Sequence, residues 1–339
     1  MTSAHAADAA VADTTAAAPG PSDALLDAPV LAHVIRGGFV ESVHHGSLVA
    51  LEADGTPVLA LGSATGPVFP RSSNKPLQAL AMVRSGLRLE PELLALACSS
   101  HSGEDFHLEG VRRILAGAGL TESDLQNTPD WPYDALEQDR WRREGREKSS
   151  LAQNCSGKHA AMLATCVLNG WDTDTYRSAD HPLQQAMAAT LEELAGERVA
   201  ATALDGCGAP VMAVSLTGLA RAFGRLAAAP EGSHERTVAD AIRSHPAYLG
   251  GTRRDVTALV RGTVGLIAKD GAEAVYAVGL ADGRGVALKV ADGGQRARPV
   301  VVAAALRRLG VESDALAELE SAPVLGHGEP VGAVVAVGI

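Results

Sequence analysis

Strand-like apolar runs stand at both ends of the chain, and helical spacing of apolar positions fills the stretch between them. Val30 to Ile35 is one apolar run, and Ser47 to Glu52 and Pro57 to Leu61 flank Asp54-Gly55. Asp-Gly between two apolar runs is a strong hairpin signal, because both residues tolerate the positive φ of a tight turn. A second pair, Ala274 to Leu280 and Gly285 to Val290, flanks Asp282-Gly-Arg-Gly285 and predicts a second hairpin, followed by a helix over Ala297 to Leu309. Between the hairpins, Leu77 to Val83, Glu90 to Ala97, Leu108 to Ala118, His159 to Asn169 and Pro182 to Leu194 repeat apolar residues every three or four positions, which predicts helices with one buried face. Strands at both ends with helices between are most simply accommodated by one antiparallel sheet built from both termini, with a helical region against it: an α+β fold. The chain shows no repeat of the kind that marks solenoids or propellers.

The first 28 residues are dominated by Ala, Asp, Thr, Ser and Pro and present no apolar face. They read as a disordered tail, 1–28, before a single catalytic domain, 29–339. Hydrophobic residues make up 46% of the 339, enough for a large core. The net charge of −11 and an aromatic content of 3% argue against nucleic acid and anionic membranes as partners. No apolar stretch reaches the roughly 18–20 residues that a membrane span needs. Met1 to Asp13 contains neither Lys nor Arg, unlike a secretory signal. A cytoplasmic protein is expected, and its four cysteines, Cys98, Cys155, Cys166 and Cys207, are expected to form no disulfide.

The sharpest chemical signal is Arg71-Ser72-Ser73-Asn74-Lys75, followed at once by a helical pattern. Ser72 and Lys75 form S-x-x-K. On a helix, positions i and i+3 share a face, so the lysine could take the proton of a weak serine nucleophile, given burial or a cation such as Arg71 to lower its pKa. The plain alternative is a serine helix cap and an exposed lysine. Lys269-Asp270-Gly271 leads into the apolar run Ala274 to Leu280; by itself Lys269 could be an ordinary turn lysine. Asn154-Cys-Ser-Gly-Lys-His159 and Asp205-Gly-Cys-Gly-Ala-Pro210 place Cys155 and Cys207 among small turn-forming residues. Two thiolates from separate loops are good ligands for zinc, with Lys158 or His159, and water, available to complete the shell. The alternative is two small buried side chains. Cys98 and Cys166 fall inside apolar helical patterns and read as core. Ser99, Ser100, His101, Ser102 and Glu104 gather at a helix–loop–helix junction, where Ser100 or Ser102 is expected to cap the second helix.

Taken together, Phe69-Pro-Arg-Ser-x-x-Lys75, Ser99-Ser-His-Ser-Gly-Glu104, Asn154-Cys-Ser-Gly-Lys-His-Ala-Ala-Met-Leu163, Asp205-Gly-Cys-Gly-Ala-Pro210 and Lys269-x-Gly-Ala-Glu273 resemble the rhizobial-type (class 3) L-asparaginases, the asparaginase II family. The resemblance implies a fold like the serine β-lactamases and penicillin-binding proteins, which pair S-x-x-K with a later K-T-G. It implies hydrolysis of L-asparagine to L-aspartate and ammonia, by a homodimer. It also implies two catalytic Ser–Lys pairs, Ser72 with Lys75 and Ser100 with Lys269. One modulatory Zn²⁺ per chain would be held by Cys155, Lys158 and Cys207 close to the substrate, with Asp205 and His159 nearby; by its charge, Arg71 is the candidate partner for the substrate α-carboxylate. Ser72 is the first candidate for the nucleophile. The chain departs from the pattern at Val256, where such enzymes tend to have a cysteine, and at Asp270, where they often have Thr. Two other classes compete: another serine acyl hydrolase of β-lactamase-like or esterase-like type, and a non-enzymatic zinc-binding protein.

Overall fold

The computed structural model describes residue 25 and residues 27–339. Most of the segment read as a tail therefore lies outside the described residues. Ala28, its last member, is buried, and its carbonyl accepts a hydrogen bond from His45 Nδ1 at 2.7 Å.

The strands in chain order are β1 (Val30–Arg36), β2 (Phe39–Leu51), β3 (Pro57–Leu61), β4 (Pro67–Val68), β5 (Ala201–Leu204), β6 (Pro210–Ser215), β7 (Ile267–Asp270), β8 (Val275–Gly279), β9 (Gly285–Val290), β10 (Ser321–Gly326) and β11 (Glu329–Ala336). Eight of them form one antiparallel sheet in the order β10-β11-β1-β2-β9-β8-β7, with β3 also on β2. Both predicted hairpins are present, as β2–β3 and β8–β9. The termini meet as the repeating apolar patterns require: β1 pairs with β11, Ala32 opposite Ala336. The long strand β2 changes partner midway. Its first half pairs with β1 and its second half with β9 and β3. The switch falls at Gly46, where a Cβ would stand 2.5 Å from the Lys289 carbonyl oxygen.

Among the described residues, the α-helices include, in chain order, α1 (Lys75–Arg84), α2 (Pro91–Ala97), α3 (Asp105–Gly117), α4 (Ala135–Arg143), α5 (Ser156–Asn169), α6 (Pro182–Ala195), α7 (Leu216–Ala227), α8 (His234–Ser244), α9 (Pro246–Leu249), α10 (Asp255–Gly262), α11 (Arg298–Arg308) and α12 (Asp314–Leu319). α7 lies on one face of β8–β9 and α11 packs on the same sheet. Every residue of β7 and β8 is buried. That accounts for the unbroken apolar run around Val275, since a strand covered on both faces loses its polar alternation. The helices α1 to α10 fall in the chain between β4 and β7 and α12 falls between α11 and β10, and β4-β6-β5 form a small separate sheet. The architecture is α+β, with one antiparallel sheet made from both ends of the chain.

Candidate active site

Pro70 leads into a single tight 3-10 turn, Arg71–Asn74, before α1 begins at Lys75. Arg71 adopts φ 52°, a left-handed conformation that L-residues seldom hold without surrounding constraint. The turn packs against the end of β7. A Cβ on Gly271 would stand 2.7 Å from the Pro70 carbonyl oxygen, so the close approach needs glycine there.

Lys75 is buried. Its Nζ donates to the Ser99 carbonyl at 2.5 Å, to Ser100 Oγ at 3.1 Å and to Cys155 Sγ at 3.1 Å. The helical i, i+3 pairing with Ser72 is therefore corrected. Among the described residues Lys75 bonds to the loop after α2 and to the residue before α5, and not to Ser72. Ser72 belongs to the tighter turn and stays half-buried, while Lys75 is the first residue of the α-helix and points inward. The expected serine cap also fails. The residue before α3 is Glu104, which makes no side-chain cap, and Ser102 Oγ donates to the Gly250 carbonyl at 3.0 Å. Glu104 instead accepts from the Thr252 N–H and hydroxyl, both at 2.8 Å.

Lys269, on β7, is fully buried. It bonds Asp270 twice, to the carbonyl and to Oδ1, each at 2.6 Å. The implied pair of Ser100 with Lys269 is thus crossed: Ser100 bonds to Lys75, because the carboxylate next in sequence takes the Lys269 ammonium. Burial lowers the Lys269 pKa to about 8. The cations of Lys75 and Arg254 push the same way and Asp270 opposes them. Asp270 lies well below the usual carboxylate range: burial would raise it, but Lys269, Arg254 and Arg298 outweigh burial. Its Oδ2 meets Arg254 at 2.5 Å and Arg298 at 3.4 Å.

The second half of the site joins two loops. Asp205 to Ala209 form a tight turn between β5 and β6, closed by the Gly208 N–H donating to the Asp205 carbonyl at 2.8 Å. Cys207, Cys155 and Ala209 form a small apolar cluster apart from the main core. Lys158 Nζ donates to Cys207 Sγ at 3.3 Å. The Cys155 thiol donates to Asn154 Oδ1 at 3.0 Å; its proximity, with Lys158 assisting, lowers the Cys207 pKa to about 4 against burial. The neighbouring Cys207, with burial, pushes Cys155 up to about 12. Burial would lower the Lys158 pKa, but Cys207, Cys155 and Asp205 outweigh it and hold the ammonium charged.

Arg71 and Asp205 form an ion pair at 2.7 Å. The carboxyl is held below its ordinary value by Lys158 and Arg71 despite burial. His159 is fully buried and its Nδ1 bonds Tyr176 Oη at 2.6 Å. Burial keeps its imidazole neutral, and its Nε2 has no partner. All four cysteines are free, and Cys98, Cys166 and Val256 lie in the main core. Among the described residues no three His, Cys, Asp or Glu side chains are arranged to hold a metal. The candidate donor set is the Cys155 and Cys207 sulfurs, which share one small cluster, and the Lys158 amine, which bonds Cys207.

Three of the five lysines (Lys75, Lys148, Lys158, Lys269 and Lys289) are thus buried around one site. Lysine is almost never fully buried without a partner, and clustered groups with displaced pKa values mark functional sites. Sequence reasoning missed Arg254, Arg298 and Tyr176. Arg254 stands beside Val256 in a polar loop, and only the fold brings it to Asp270.

A family profile described as L-asparaginase II matches residues 32–336. No curated protein matches the chain. Solved structures that superpose on it in part include Mglu in its tris and glutamate form, at TM-score 0.41 and 13% identity over 84% of this chain. The chain spans 63% of that protein, just under two thirds of its length. A beta-lactamase from Mycobacterium bovis superposes at TM-score 0.42 and 15% identity, over 83% of this chain and 95% of its own. A Bacillus subtilis glutaminase, in covalent complex with 5-oxo-L-norleucine, does so at 0.34 and 14%, over 77% and 84%. These overlaps are partial, and the fold described above rests on strand order and register alone.

Proposed function

The chain belongs to the L-asparaginase II family, and on that premise we propose that it hydrolyses L-asparagine to L-aspartate and ammonia. The family makes it an amidohydrolase acting on a small molecule. The observation that carries the finer reading is the buried Lys75 side chain bonded to the Ser100 hydroxyl, with Lys269 and the Arg71–Asp205 pair in the same site. As its free amine, a lysine held beside a serine can take the serine's proton and become an ammonium, and a substrate amino acid presents a carboxylate and an ammonium that complement Arg71 and Asp205.

In this reading Ser72, the half-buried hydroxyl of the turn, attacks the side-chain carboxamide carbon. Its proton passes through Ser100 to Lys75. As the C–N bond breaks, the Lys269 ammonium protonates the leaving ammonia, and water then hydrolyses the acyl-enzyme. A second reading makes Ser100 itself the nucleophile, favoured by its direct 3.1 Å bond to Lys75. Cys155, Lys158 and Cys207 would hold the zinc ion that the family resemblance implies; two thiols and an amine suit it once deprotonated. Bound there, it would supply positive charge that orients the substrate. His159 supports this corner from behind through Tyr176.

The homodimer and the cytoplasmic location belong to the same proposal, and sedimentation of the purified chain tests the first. Ammonia release from asparagine, glutamine and a few dipeptides tests the activity. Turnover of asparagine above the others is expected. Turnover of nitrocefin or esters without ammonia release would favour the acyl-hydrolase class, and zinc-dependent folding without any hydrolysis would favour a zinc-binding protein.

A further inference from the structure

Asp270 stands at the centre of a buried group of cations. One oxygen, Oδ1, meets Lys269 Nζ at 2.6 Å. The other, Oδ2, meets Arg254 Nη2 at 2.5 Å and Arg298 Nη1 at 3.4 Å. Arg254 does not stop there: its Nη1 donates to the backbone carbonyl of Ser100 at 3.3 Å, and its guanidinium lies over the Tyr133 ring at 4.5 Å. Arg298 is in turn fixed by Asp255, at 3.0 Å, on the first turn of α10. A single carboxylate therefore touches the strand that carries Lys269, and through one arginine it reaches the loop that carries Ser100. The two buried cations, Lys269 and Arg298, and the partly buried Arg254 around one carboxylate are strongly interdependent, since removing one partner leaves the others uncompensated in a low-dielectric interior.

We propose that Asp270 is the positioning residue of the site, supplying the counter-charge that holds Lys269 as an ammonium and, through Arg254, fixing the Ser100 loop against it. This rests on the amide-hydrolysis reading, in which Lys269 donates a proton. Lys75 at the start of α1 and Arg254 in the loop before α10 both face Lys269 and disfavour its charge, as burial does. The Cys98 thiol at the end of α2, pushed up to about 12, stays neutral. Tyr276 on β8 is raised by burial and stays neutral as well. Arg298 acts on Asp270 from α11, and Asp255 on α10 pairs with Arg298. Asp270 is thus the one anion in direct contact with the Lys269 ammonium among the described residues. Without it every remaining influence favours the neutral amine, which has no proton to give.

The test uses Asp270→Asn, which keeps the acceptor and removes the charge, together with Asp270→Glu and Arg254→Met. Only five lysines are present, so ¹³C-labelled lysine resolves the Lys269 side chain by NMR, assigned with Lys269→Arg. In the unaltered protein its midpoint should lie at about 8, and the alkaline limb of kcat should follow it. Asp270→Asn should move both down by about 1–3 pH units and lower kcat at neutral pH at least about tenfold, with KM changed much less. Asp270→Glu should restore part of both. Arg254→Met removes a neighbouring cation and should move the midpoint up. A folded Asp270→Asn protein with an unmoved Lys269 midpoint overturns the proposal. If that variant does not fold, Arg254→Met decides: a midpoint that stays or falls overturns it, and a rise supports it. A shifted midpoint in a protein that hydrolyses no amide would sink the asparaginase reading while leaving the role of Asp270 as counter-charge in place.

Discussion

At the scale of single residues, the identities of the reactive groups could be read from local strings, but their partners could not. Ser72 and Lys75 are three apart, and helical spacing alone assigns them to each other. The actual partners of Lys75 are 24, 25 and 80 positions away, at Ser99, Ser100 and Cys155. Those contacts depend on where α2 ends and α5 begins. Replacing Ser72 or Ser100 by Ala separates the two mechanisms. If Ser72 attacks, Ser72→Ala should reduce kcat by at least about a thousandfold and Ser100→Ala by about a hundredfold, as expected for losing a nucleophile and a proton relay. Mass spectrometry of acid-quenched enzyme should then find the acyl group on Ser72; an acyl group on Ser100 assigns the attack to Ser100 instead. The sulfur pair gives a further test. Cys155→Ser and Cys207→Ser should each abolish binding of one Zn²⁺ per chain, because each removes one of only two thiolate donors. Cys98→Ser and Cys166→Ser alter core packing alone and should leave the metal in place. Elemental analysis of untagged protein soaked in zinc checks this, and stoichiometric metal in the Cys155→Ser, Cys207→Ser double variant would return both residues to plain buried side chains.

At the scale of elements, the hairpins were legible because their turns carry Asp-Gly, and the long apolar helices because their spacing is regular. What escaped has a physical reason in each case. α7 reads Leu216-Thr-Gly-Leu-Ala-Arg-Ala-Phe-Gly-Arg-Leu-Ala227, and its two glycines weaken the helical signal. They are there for close packing: a Cβ on Gly224 would stand 2.2 Å from the Gly283 carbonyl oxygen. The strands beneath answer with Gly279 and Gly285, where a Cβ would stand 2.0 Å from the Phe223 oxygen and 2.1 Å from the Ala220 oxygen. Helix and sheet touch backbone to backbone, which no local pattern announces. The terminal hairpin β10–β11 was missed because Pro323, Gly326, Gly328 and Pro330 interrupt its alternation. Gly279→Ala should therefore force α7 away from β8 and destabilise the protein by about 1–3 kcal/mol. Gly117→Ala, at the end of α3 with nothing within 4 Å of the new carbon, should be neutral or slightly stabilising. Thermal melts of the two variants make the comparison. Equal melting temperatures would show that α7 yields without cost and that the contact does not set the sheet–helix distance.

At the scale of the whole molecule, both ends of the chain close one sheet, and the order of its strands decides where a truncation can be made. β1 sits between β11 and β2, so the N-terminal strand is interior to the sheet and cannot be shortened without opening it. The residues just before β1 still take part in it. Ala28 is buried and its carbonyl accepts from His45 Nδ1, while the Pro29 carbonyl accepts from the Gly46 N–H at 3.0 Å. Gly46 is the point where β2 exchanges β1 for β9, so these two carbonyls brace the strand at its change of partner. The compositional boundary after residue 28 thus lies one residue inside the folded structure, because a small side chain such as Ala gives no sequence signal of its burial. Removing residues 1–27 should leave melting temperature and kcat unchanged. Removing residues 1–29 takes away both acceptors and leaves a buried donor unpaired, which should cost about 1–3 kcal/mol and weaken the β1–β2 pairing first, visible as faster amide exchange in β1 and in the first half of β2. Equal stability of the two truncated chains would show that the brace is dispensable, and a loss of stability on removing 1–27 alone would show that the segment before Ala28 contributes to the fold.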